Sequence, residues 1–206
     1  MLKNQPHNSN PNYDIREYKR SLREKYKKIR AAIPDEERAA KNAAIAERFL
    51  RLHQYQSCRT LLIYVSIGTE ADTLELIRSA LADGKRVAVP KSYPQTRQMR
   101  FFSINSADEL APGVYGVPEP DETRCEQITD FDRCLCVVPA LTYDLQGYRM
   151  GYGKGYYYRF LNDFTGYTVG ITFSECLSRY LPRGRFDAAV DLIVTDKRII
   201  RPRGAQ

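Results

Sequence analysis

Six short apolar segments, spread along the chain, constrain its fold more than any other feature. They are "TLLIYV" (60–65), "RVAVP" (86–90), "MRFFSI" (99–104), "CLCVVP" (134–139), "TVGITF" (168–173) and "DLIVT" (191–195). Most are too short for helices and are rich in Val, Ile and Phe, which is typical of strands buried on both faces. Between the first two, "DTLELIRSALADGK" predicts a helix that ends at Gly84. Strands that alternate with helices predict an α/β fold, in which an open, mainly parallel sheet forms the middle of three layers and helices flank it.

Two further helices are predicted before the first strand. From Tyr13 to about Ala32, apolar residues recur at three- and four-residue steps and predict one buried helical stripe, with a basic stripe beside it. The apolar stripe is Ile15, Tyr18, Leu22, Tyr26 and Ile29, and the basic stripe is Arg16, Lys19, Arg23, Lys27 and Arg30. Pro34 ends this helix, and the acids that follow it favour the start of a second one.

The length and composition predict one domain. The chain has 206 residues, of which 43% are hydrophobic, enough for one sizeable core. We expect a disordered N-terminal arm over residues 1–12 and a single α/β domain over residues 13–206. No apolar run approaches the ~20 residues that a membrane span requires, and the N-terminus lacks a signal-peptide pattern, so we expect a cytoplasmic protein without membrane association.

The cysteines and the charge narrow the class of protein further. The five cysteines include no CxxC pair and are odd in number, which fits a reducing cytosol and argues against a disulfide framework or a zinc site. They are Cys58, Cys125, Cys134, Cys136 and Cys176. The formal charge of +7 suggests an anionic partner, but nucleic-acid binders and phosphate-ester enzymes share such a balance.

A glycine-rich segment, "GYRMGYGKGYYYRF" (147–160), follows the fourth apolar run. Ligands of parallel sheets collect at the carboxyl ends of the strands, so this loop is predicted at the ligand edge, before a helix from about Gly155 to Asn162. It is not a P-loop, because Lys154 is followed by glycine instead of Ser or Thr. The dinucleotide pattern fails as well, since positions 156 and 158 are tyrosines; the fold is Rossmann-like without that fingerprint.

The loop nevertheless has the features of a polyphosphate site. Glycines let backbone amides approach an anion, the helix start adds positive potential, and Arg149 and Lys154 supply full charges. The tyrosines Tyr152, Tyr156 and Tyr157 offer flat faces to a ring. A glycine-rich connection whose tyrosines pack the core is the alternative interpretation, and composition does not exclude it.

The longer stretch "VVPALTYDLQGYRMGYGKGYYYRFL" (137–161) resembles the signature of the 5-formyltetrahydrofolate cyclo-ligase family. The matching positions are Pro139, Asp144, Gly147, Arg149, Gly151, Gly153, Gly155, Tyr156, Tyr157, Arg159 and Leu161. Weaker similarities occur elsewhere along the chain, in the same order as in the family. They are "KRSLR" (19–23), "YVSIGTEADT" (64–73), "GVPEP" (116–120), "GITF" (170–173) and "LPRGRFDAAVDLIVT" (181–195).

The resemblance implies an ATP-dependent reaction. 5-Formyltetrahydrofolate and ATP give 5,10-methenyltetrahydrofolate, ADP and phosphate: the formyl oxygen takes the γ-phosphoryl group, and N10 then closes onto the activated carbon. We therefore expect a monomer whose partners are these two small molecules, with magnesium as cofactor and without nucleic acid.

The resemblance also implies roles for individual residues. The implied ATP contacts are Lys19, Arg23, Arg149, Gly151, Gly153, Lys154, Gly155, Tyr156 and Tyr157, with Arg149 and Lys154 as the catalytic phosphate clamps. The implied folate contacts are Val65, Glu70, Tyr152 and Tyr156. Asp187 is the implied metal residue, with magnesium held mainly by ATP phosphates; Asp144 is a spare candidate that more often caps backbone amides, and Asp191 is a candidate structural residue.

Two positions depart from the family pattern. Tyr158 stands where the family usually has a metal-binding aspartate, and Cys176 stands where it usually has glutamine. A tyrosine replaces a hard-cation carboxylate poorly. Two alternatives therefore stay open: a non-catalytic paralogue that binds folate or nucleotide, and an RNA-binding protein that uses the basic first helix and the tyrosines.

Overall fold

The computed structural model describes residues 14–184 and 187–202, so the predicted arm over residues 1–12 lies outside the described chain. The helices are α1 (Ile15–Ala31), α2 (Asp35–Leu50), α3 (His53–Ser57), α4 (Leu74–Ala82) and α5 (Tyr156–Asp163). The strands are β1 (Thr60–Ile63), β2 (Arg86–Tyr93), β3 (Gln98–Ile104), β4 (Ala111–Pro112), β5 (Pro118–Glu119), β6 (Cys134–Val138), β7 (Thr142–Asp144), β8 (Arg149–Met150), β9 (Tyr167–Ile171), β10 (Leu177–Ser178), β11 (Leu192–Val194) and β12 (Ile199–Ile200). Short 3₁₀ turns cover Ala107–Glu109, Val114–Gly116 and Ser174–Cys176.

The central sheet has the order β12-β11-β9-β6-β1-β2-β3. The pairs β1–β2, β1–β6, β6–β9 and β9–β11 are parallel, and only the outer strands β3 and β12 pair antiparallel in this sheet. All six apolar segments form strands of this sheet, which confirms the predicted α/β class and the mainly parallel sheet.

Side-chain alternation divides the interior into two layers. Leu61 and Ile63 of β1 belong to one buried cluster with residues of α1, α2 and α4. Leu62 belongs to a second cluster, on which the aromatic residues of α5 pack. Successive side chains of a strand point to opposite faces, so helices cover both faces and the strands need apolar residues throughout.

The predicted buried stripe of α1 is wrong for the first turn. Asp14 caps the helix by accepting from the backbone N–H of Arg16 at 2.8 Å, but Ile15 and Tyr18 are 43% and 38% exposed. The helix reaches the core only from Leu22 onwards, because its amino end extends beyond the main core cluster. The α4 prediction is confirmed: Gly84 follows the helix in the left-handed region, at φ +72°.

A second sheet of three short strands, β10-β7-β8, was not predicted from the sequence. The β7–β8 turn is organised by the fully buried Asp144, whose Oδ1 accepts from the amides of Gln146 and Tyr148. Its Oδ2 accepts from the amide of Leu181, so Asp144 caps backbone groups as the capping alternative predicted. At Gly147, φ is +87° and a Cβ would lie 2.7 Å from the carbonyl oxygen of Val190. The glycines from Gly151 onwards directly follow this hairpin in the sequence.

Within residues 14–184 and 187–202, no helix combines the length and the apolar character needed to cross a bilayer.

Candidate active site

A cleft of about 560 Å³ lies where the segments that follow β1 and β6 meet the amino half of α1 and the strand β2. Ile67 and Glu70 come from the segment after β1, Pro139 follows β6, and the whole of the loop 149–158 contributes to the lining. The glycine loop therefore occupies the carboxyl edge of the parallel strands, as predicted from its place in the sequence.

The backbone of the loop requires glycine at two positions. Gly153 and Gly155 have φ of +87° and +80°, a region that residues with a Cβ rarely adopt. Gly155 also stands immediately before α5, whose eight residues begin at Tyr156. The unsatisfied amides and the dipole at a helix start favour an anion there.

Two cations of α1 line the cleft, and one of them contacts this loop. Arg23 donates from Nε to the carbonyl oxygen of Gly151 at 3.0 Å, and both Lys19 and Arg23 line the cleft. Lys19 Nζ lies 3.9 Å from Oδ2 of Asp187, which also accepts from the amide of Gly184. Residues four apart share a helix face, so the spacing of Lys19 and Arg23 places both cations toward the same loop.

The cations of the loop itself are held more loosely. Arg149 donates from Nη1 to the carbonyl oxygen of Ala188 at 3.1 Å. Lys154 is exposed, and its Nζ lies 4.9 Å from the ring centroid of Tyr115 across the cleft. All nine residues predicted to contact ATP are in the cleft lining.

The folate-contacting side of the prediction centres on Glu70. Its Oε1 accepts from the hydroxyl of Tyr152 at 2.9 Å, and its Oε2 accepts from the amide of Ile67 at 3.1 Å. Arg30 lies behind both residues: Nη2 donates to the Tyr152 hydroxyl at 2.6 Å, and Nη1 is 3.8 Å from Glu70 Oε1. Burial and the nearby Glu70 carboxylate raise the pKa of Tyr152, so its hydroxyl keeps its proton at neutral pH.

Sequence reasoning gave Arg30 no role beyond its place in the basic stripe of α1. The signal was its position seven residues after Arg23, which returns it to the same helix face.

Tyr115 was also missed, and nothing in its sequence context identified it. It adopts φ +60°, and its hydroxyl is 3.3 Å from that of Tyr156. Burial and then this hydrogen bond raise the pKa of Tyr156 to about 12.

Tyr157 forms part of the base of the cleft and packs against both core clusters. Its ring meets Phe101 edge-on at 6.4 Å between centroids. The hydroxyl is buried without a hydrogen-bond partner among the described residues, and burial raises its pKa well above the ordinary value. A neutral donor at this depth is available to a ligand that enters the cleft.

Three predicted or noted residues lie away from the cleft. Val65, predicted to wall the folate site, is 3% exposed and belongs to the same core cluster as Ile63; the described cleft lining does not include it. Cys176 is fully buried in that cluster, and burial raises the pKa of its thiol to about 11. Asp191 accepts from the amide and the hydroxyl of Thr168, which confirms its structural role.

The metal prediction rests on a single carboxylate. Asp187 and Tyr158 both line the cleft. Across the described segments, no three His, Cys, Asp or Glu side chains converge in a way that would hold a metal ion. Mg²⁺ is commonly held by one or two carboxylates together with substrate phosphates, so the residues present fit an ion that binds with ATP.

The residues of the predicted basic stripe of α1 differ in their surroundings. Arg23 is engaged with the carbonyl oxygen of Gly151, and Arg30 is only 7% exposed. Lys27 is paired with Glu24 of its own helix. A single-strand binding groove needs cations and aromatic faces open along a track, whereas the stripe residues Lys19 and Arg23 line the cleft.

The chain is similar to known cyclo-ligases along most of its length. The family model described as the 5-formyltetrahydrofolate cyclo-ligase family matches residues 15–196. The 5-formyltetrahydrofolate cyclo-ligase of Mus musculus is 27% identical over 187 residues, covering 85% of this chain and 92% of the mouse protein. That of Escherichia coli (strain K12) is 25% identical over 175 residues, covering 82% and 96%.

Among solved structures, the NMR structure of Aquifex aeolicus 5,10-methenyltetrahydrofolate synthetase matches with a TM-score of 0.80 and 30% identity. The match covers 91% of this chain and 94% of the Aquifex chain. The family match spans most of the chain, including both α1 and the glycine loop. The chain therefore belongs to the 5-formyltetrahydrofolate cyclo-ligase family.

Proposed function

We propose that the protein is an ATP-dependent cyclo-ligase that converts 5-formyltetrahydrofolate to 5,10-methenyltetrahydrofolate, with release of ADP and phosphate. One observation carries the proposal: the cations of α1 and of the glycine loop converge on the same cleft that Glu70 lines. A volume of about 560 Å³ falls within the ~300–1,000 Å³ usual for small-molecule sites. The residues proposed for both substrates line one cleft of a single chain, so the proposed site does not require a second subunit.

The reaction needs positioning and charge neutralisation. The formyl oxygen attacks the γ-phosphorus of ATP, and ADP leaves with the electron pair of the broken P–O bond. The lone pair of N10 then adds to the activated carbon, N10 releases its proton to solvent, and phosphate departs with the former formyl oxygen. No protein nucleophile is required, so the contribution of the chain is to align the two substrates and to stabilise charge on the transferring group.

Arg149 and Lys154 are the proposed clamps on the phosphates, with Lys19 and Arg23 beside them. The single hydrogen bond from Arg23 to Gly151 uses Nε, which leaves the two terminal nitrogens for phosphate oxygens. Lys154 is exposed, and among the described residues no ion pair joins it to a carboxylate, so its ammonium is available for the γ-phosphoryl group.

Magnesium is the proposed cofactor. Asp187 would hold the ion together with phosphate oxygens of ATP, and Tyr158 supplies no carboxylate beside it. When bound, magnesium supplies further neutralisation of phosphate charge. Binding of ATP also gives Lys19 a new anionic partner in place of Asp187, which then becomes available to a cation.

The test is a spectrophotometric assay in which the absorbance of methenyltetrahydrofolate reports its formation from 5-formyltetrahydrofolate and ATP. The magnesium concentration is varied, and EDTA is the control. Turnover that is lost with EDTA is the expected result. Folded protein that binds ATP and folate but yields no product would contradict the proposal and favour a binding paralogue. Tight, salt-dependent RNA binding without turnover would instead favour the nucleic-acid alternative.

A further inference from the structure

We propose that Arg30 is a positioning residue that orients Glu70 and Tyr152 toward the folate. This inference rests on the proposed function, because it takes Glu70 as the carboxylate that receives the folate ring. Arg30 itself is not among the described residues that line the cleft, whereas Glu70 and Tyr152 are. Its effect on the substrate therefore passes through those two side chains.

The contacts of Arg30 join two segments that are far apart in sequence. Nε donates to the hydroxyl of Thr69 at 3.2 Å, beside Glu70 in the segment after β1. Nη2 donates to the hydroxyl of Tyr152 in the glycine loop at 2.6 Å. One guanidinium thus links the proposed folate segment to the proposed phosphate loop. Its planar fork of donors suits this, because a lysine ammonium is a single point charge.

The direction of each hydrogen bond in this cluster is determined by chemistry. A guanidinium only donates, so the Tyr152 oxygen accepts from Arg30 and its proton must point elsewhere. The available acceptor is Oε1 of Glu70 at 2.9 Å. The chain Arg30 to Tyr152 to Glu70 is therefore polarised in one direction, and the positive end lies at the buried side.

Burial makes the pairing necessary. The side chains of Arg30 and Glu70 are each 9% exposed. A buried carboxylate without a partner is costly, and a buried cation is equally so. The 3.8 Å separation of Arg30 Nη1 from Glu70 Oε1 supplies charge compensation, while the hydroxyl of Tyr152 supplies the shorter contact.

The orientation leaves Glu70 ready for a ligand. A carboxylate has about four acceptor positions, and Tyr152 and Ile67 each occupy one, on different oxygens. Each oxygen keeps a position for a donor. A heterocycle that presents two adjacent N–H groups matches such a carboxylate, and the amino-pyrimidine edge of a folate is a ring of that kind.

The experiment compares four variants of the full-length enzyme: Arg30→Met, Arg30→Lys, Tyr152→Phe and the double variant Arg30→Met/Tyr152→Phe. For Arg30→Met we expect KM for 5-formyltetrahydrofolate to rise by about tenfold to a hundredfold, the usual effect of losing a hydrogen bond to a charged group. KM for ATP should stay within about twofold. Arg30→Lys should recover part of the loss, and the double variant should be no worse than Arg30→Met, because both residues act in one chain of hydrogen bonds.

Lys27→Met is the matched control. It removes a positive charge from the same helix, at an exposed side chain whose ion pair within the described residues is the one with Glu24. We expect neither KM to change. Equal increases of both KM values in Arg30→Met, or additive effects in the double variant, would overturn the positioning role in favour of a general structural one. If Arg30→Met does not fold, Tyr152→Phe provides the test instead, because it interrupts the same chain of hydrogen bonds between Arg30 and Glu70.

Calorimetric binding of 5-formyltetrahydrofolate separates this inference from the proposed function. Wild-type protein that binds the folate without forming product would refute the cyclo-ligase activity alone, and the Arg30 effect would then be measured as a rise in Kd. Unchanged Kd in both Arg30 variants would overturn the inference while the activity stands. Absence of folate binding by folded wild-type protein would overturn both.

Discussion

The guanidinium of Arg23 donates a hydrogen bond from Nε to the carbonyl oxygen of Gly151 at 3.0 Å, across 128 positions of sequence. The bond connects α1 to the glycine loop in the part of the cleft proposed for phosphates. It also turns the terminal nitrogens of Arg23 away from its own helix. The first helix is thereby part of the site, although four strands of the central sheet lie between the helix and the loop in the sequence.

Replacing Arg23 by lysine should weaken ATP binding. A lysine cannot both hold the Gly151 carbonyl and present a fork of donors to phosphate. We expect KM for ATP to rise about tenfold, equivalent to about 1.4 kcal/mol, with KM for 5-formyltetrahydrofolate little changed. Lys27→Gln is the control on the same helix, and steady-state kinetics in both substrates makes the comparison. An unchanged KM for ATP would exclude Arg23 from the phosphate site.

Gly153→Ala should impair both stability and ATP binding. The residue has φ +87°, and an added Cβ would lie 3.2 Å from the Arg23 guanidinium. Left-handed backbone costs a non-glycine residue about 1–2 kcal/mol, and the displaced guanidinium should raise KM for ATP.

Gly84→Ala is the matched control for Gly153→Ala, because Gly84 has φ +72° with nothing within 4 Å of an added Cβ. Urea denaturation should detect a loss of stability in both variants, but only Gly153→Ala should change KM for ATP. If Gly84→Ala raised KM for ATP equally, backbone strain alone would explain the result.

Lys154→Ala should separate catalysis from folding. Lys154 is exposed, and its Nζ lies 4.9 Å from the ring centroid of Tyr115. We expect the free energy of unfolding to change by less than about 0.5 kcal/mol, while kcat falls about a hundredfold or more because a charge aimed at the transferring phosphoryl group is lost. Stopped-flow or steady-state turnover at saturating substrates measures it. A kcat within threefold of wild type would remove Lys154 from the catalytic role.

Tyr158→Asp should lower the magnesium concentration that gives half-maximal turnover. The carboxylate adds a hard oxygen ligand to the cleft that Asp187 also lines. We expect a decrease of about tenfold, a change of about 1.4 kcal/mol in binding. Tyr158→Phe removes the hydroxyl without adding charge and is the control. If the two variants respond equally to magnesium, position 158 lies outside the metal site.

An ion cluster between Lys41 of α2, Glu175 and Asp196 should make stability fall in acid; Lys41 and Asp196 are buried, whereas Glu175 is exposed. Lys41 Nζ lies 2.8 Å from Glu175 Oε1 and 3.3 Å from Asp196 Oδ2. Burial raises the pKa of both carboxyls, but the hydrogen bonds that they accept lower it by more. Glu175 accepts from Lys41, and Asp196 accepts from Ser174 and Lys41, so the pKa of each carboxyl ends below its ordinary range. Groups with lowered pKa stabilise the fold above their ordinary pKa, near 4, and this stabilisation is lost as the pH falls through the lowered values.

Lys41→Met tests the cluster. Removing the ammonium leaves carboxylates without their cation, and we expect a loss of about 3 kcal/mol at pH 7. The decline of stability in acid should become shallower, because the lowered pKa values move back up. Lys197→Met is the control, since Lys197 is 68% exposed and 3.9 Å from Glu175. Urea denaturation between pH 3 and pH 7 gives both quantities, and parallel curves for Lys41→Met and wild type would contradict the assignment.

Local patterns in the sequence determined the strands and the place of the loop. Each apolar run carries its own strand signal, and the glycine loop follows β6 directly, so its position at the carboxyl edge needs no long-range information. Gly84 likewise ends α4 by a conformational preference that is local. The family resemblance is also contiguous, since its most specific part lies within residues 137–161.

The tertiary structure decided which side chains meet. Arg30 and Tyr152 are 122 positions apart, and no periodicity within α1 indicates that partner. Val65 continues the alternation of Leu61 and Ile63 into the core, but which face of a doubly buried strand meets the cleft depends on the layers packed against it. The exposed first turn of α1 has the same cause, because an apolar stripe predicts a face and only packing determines how far that face is covered.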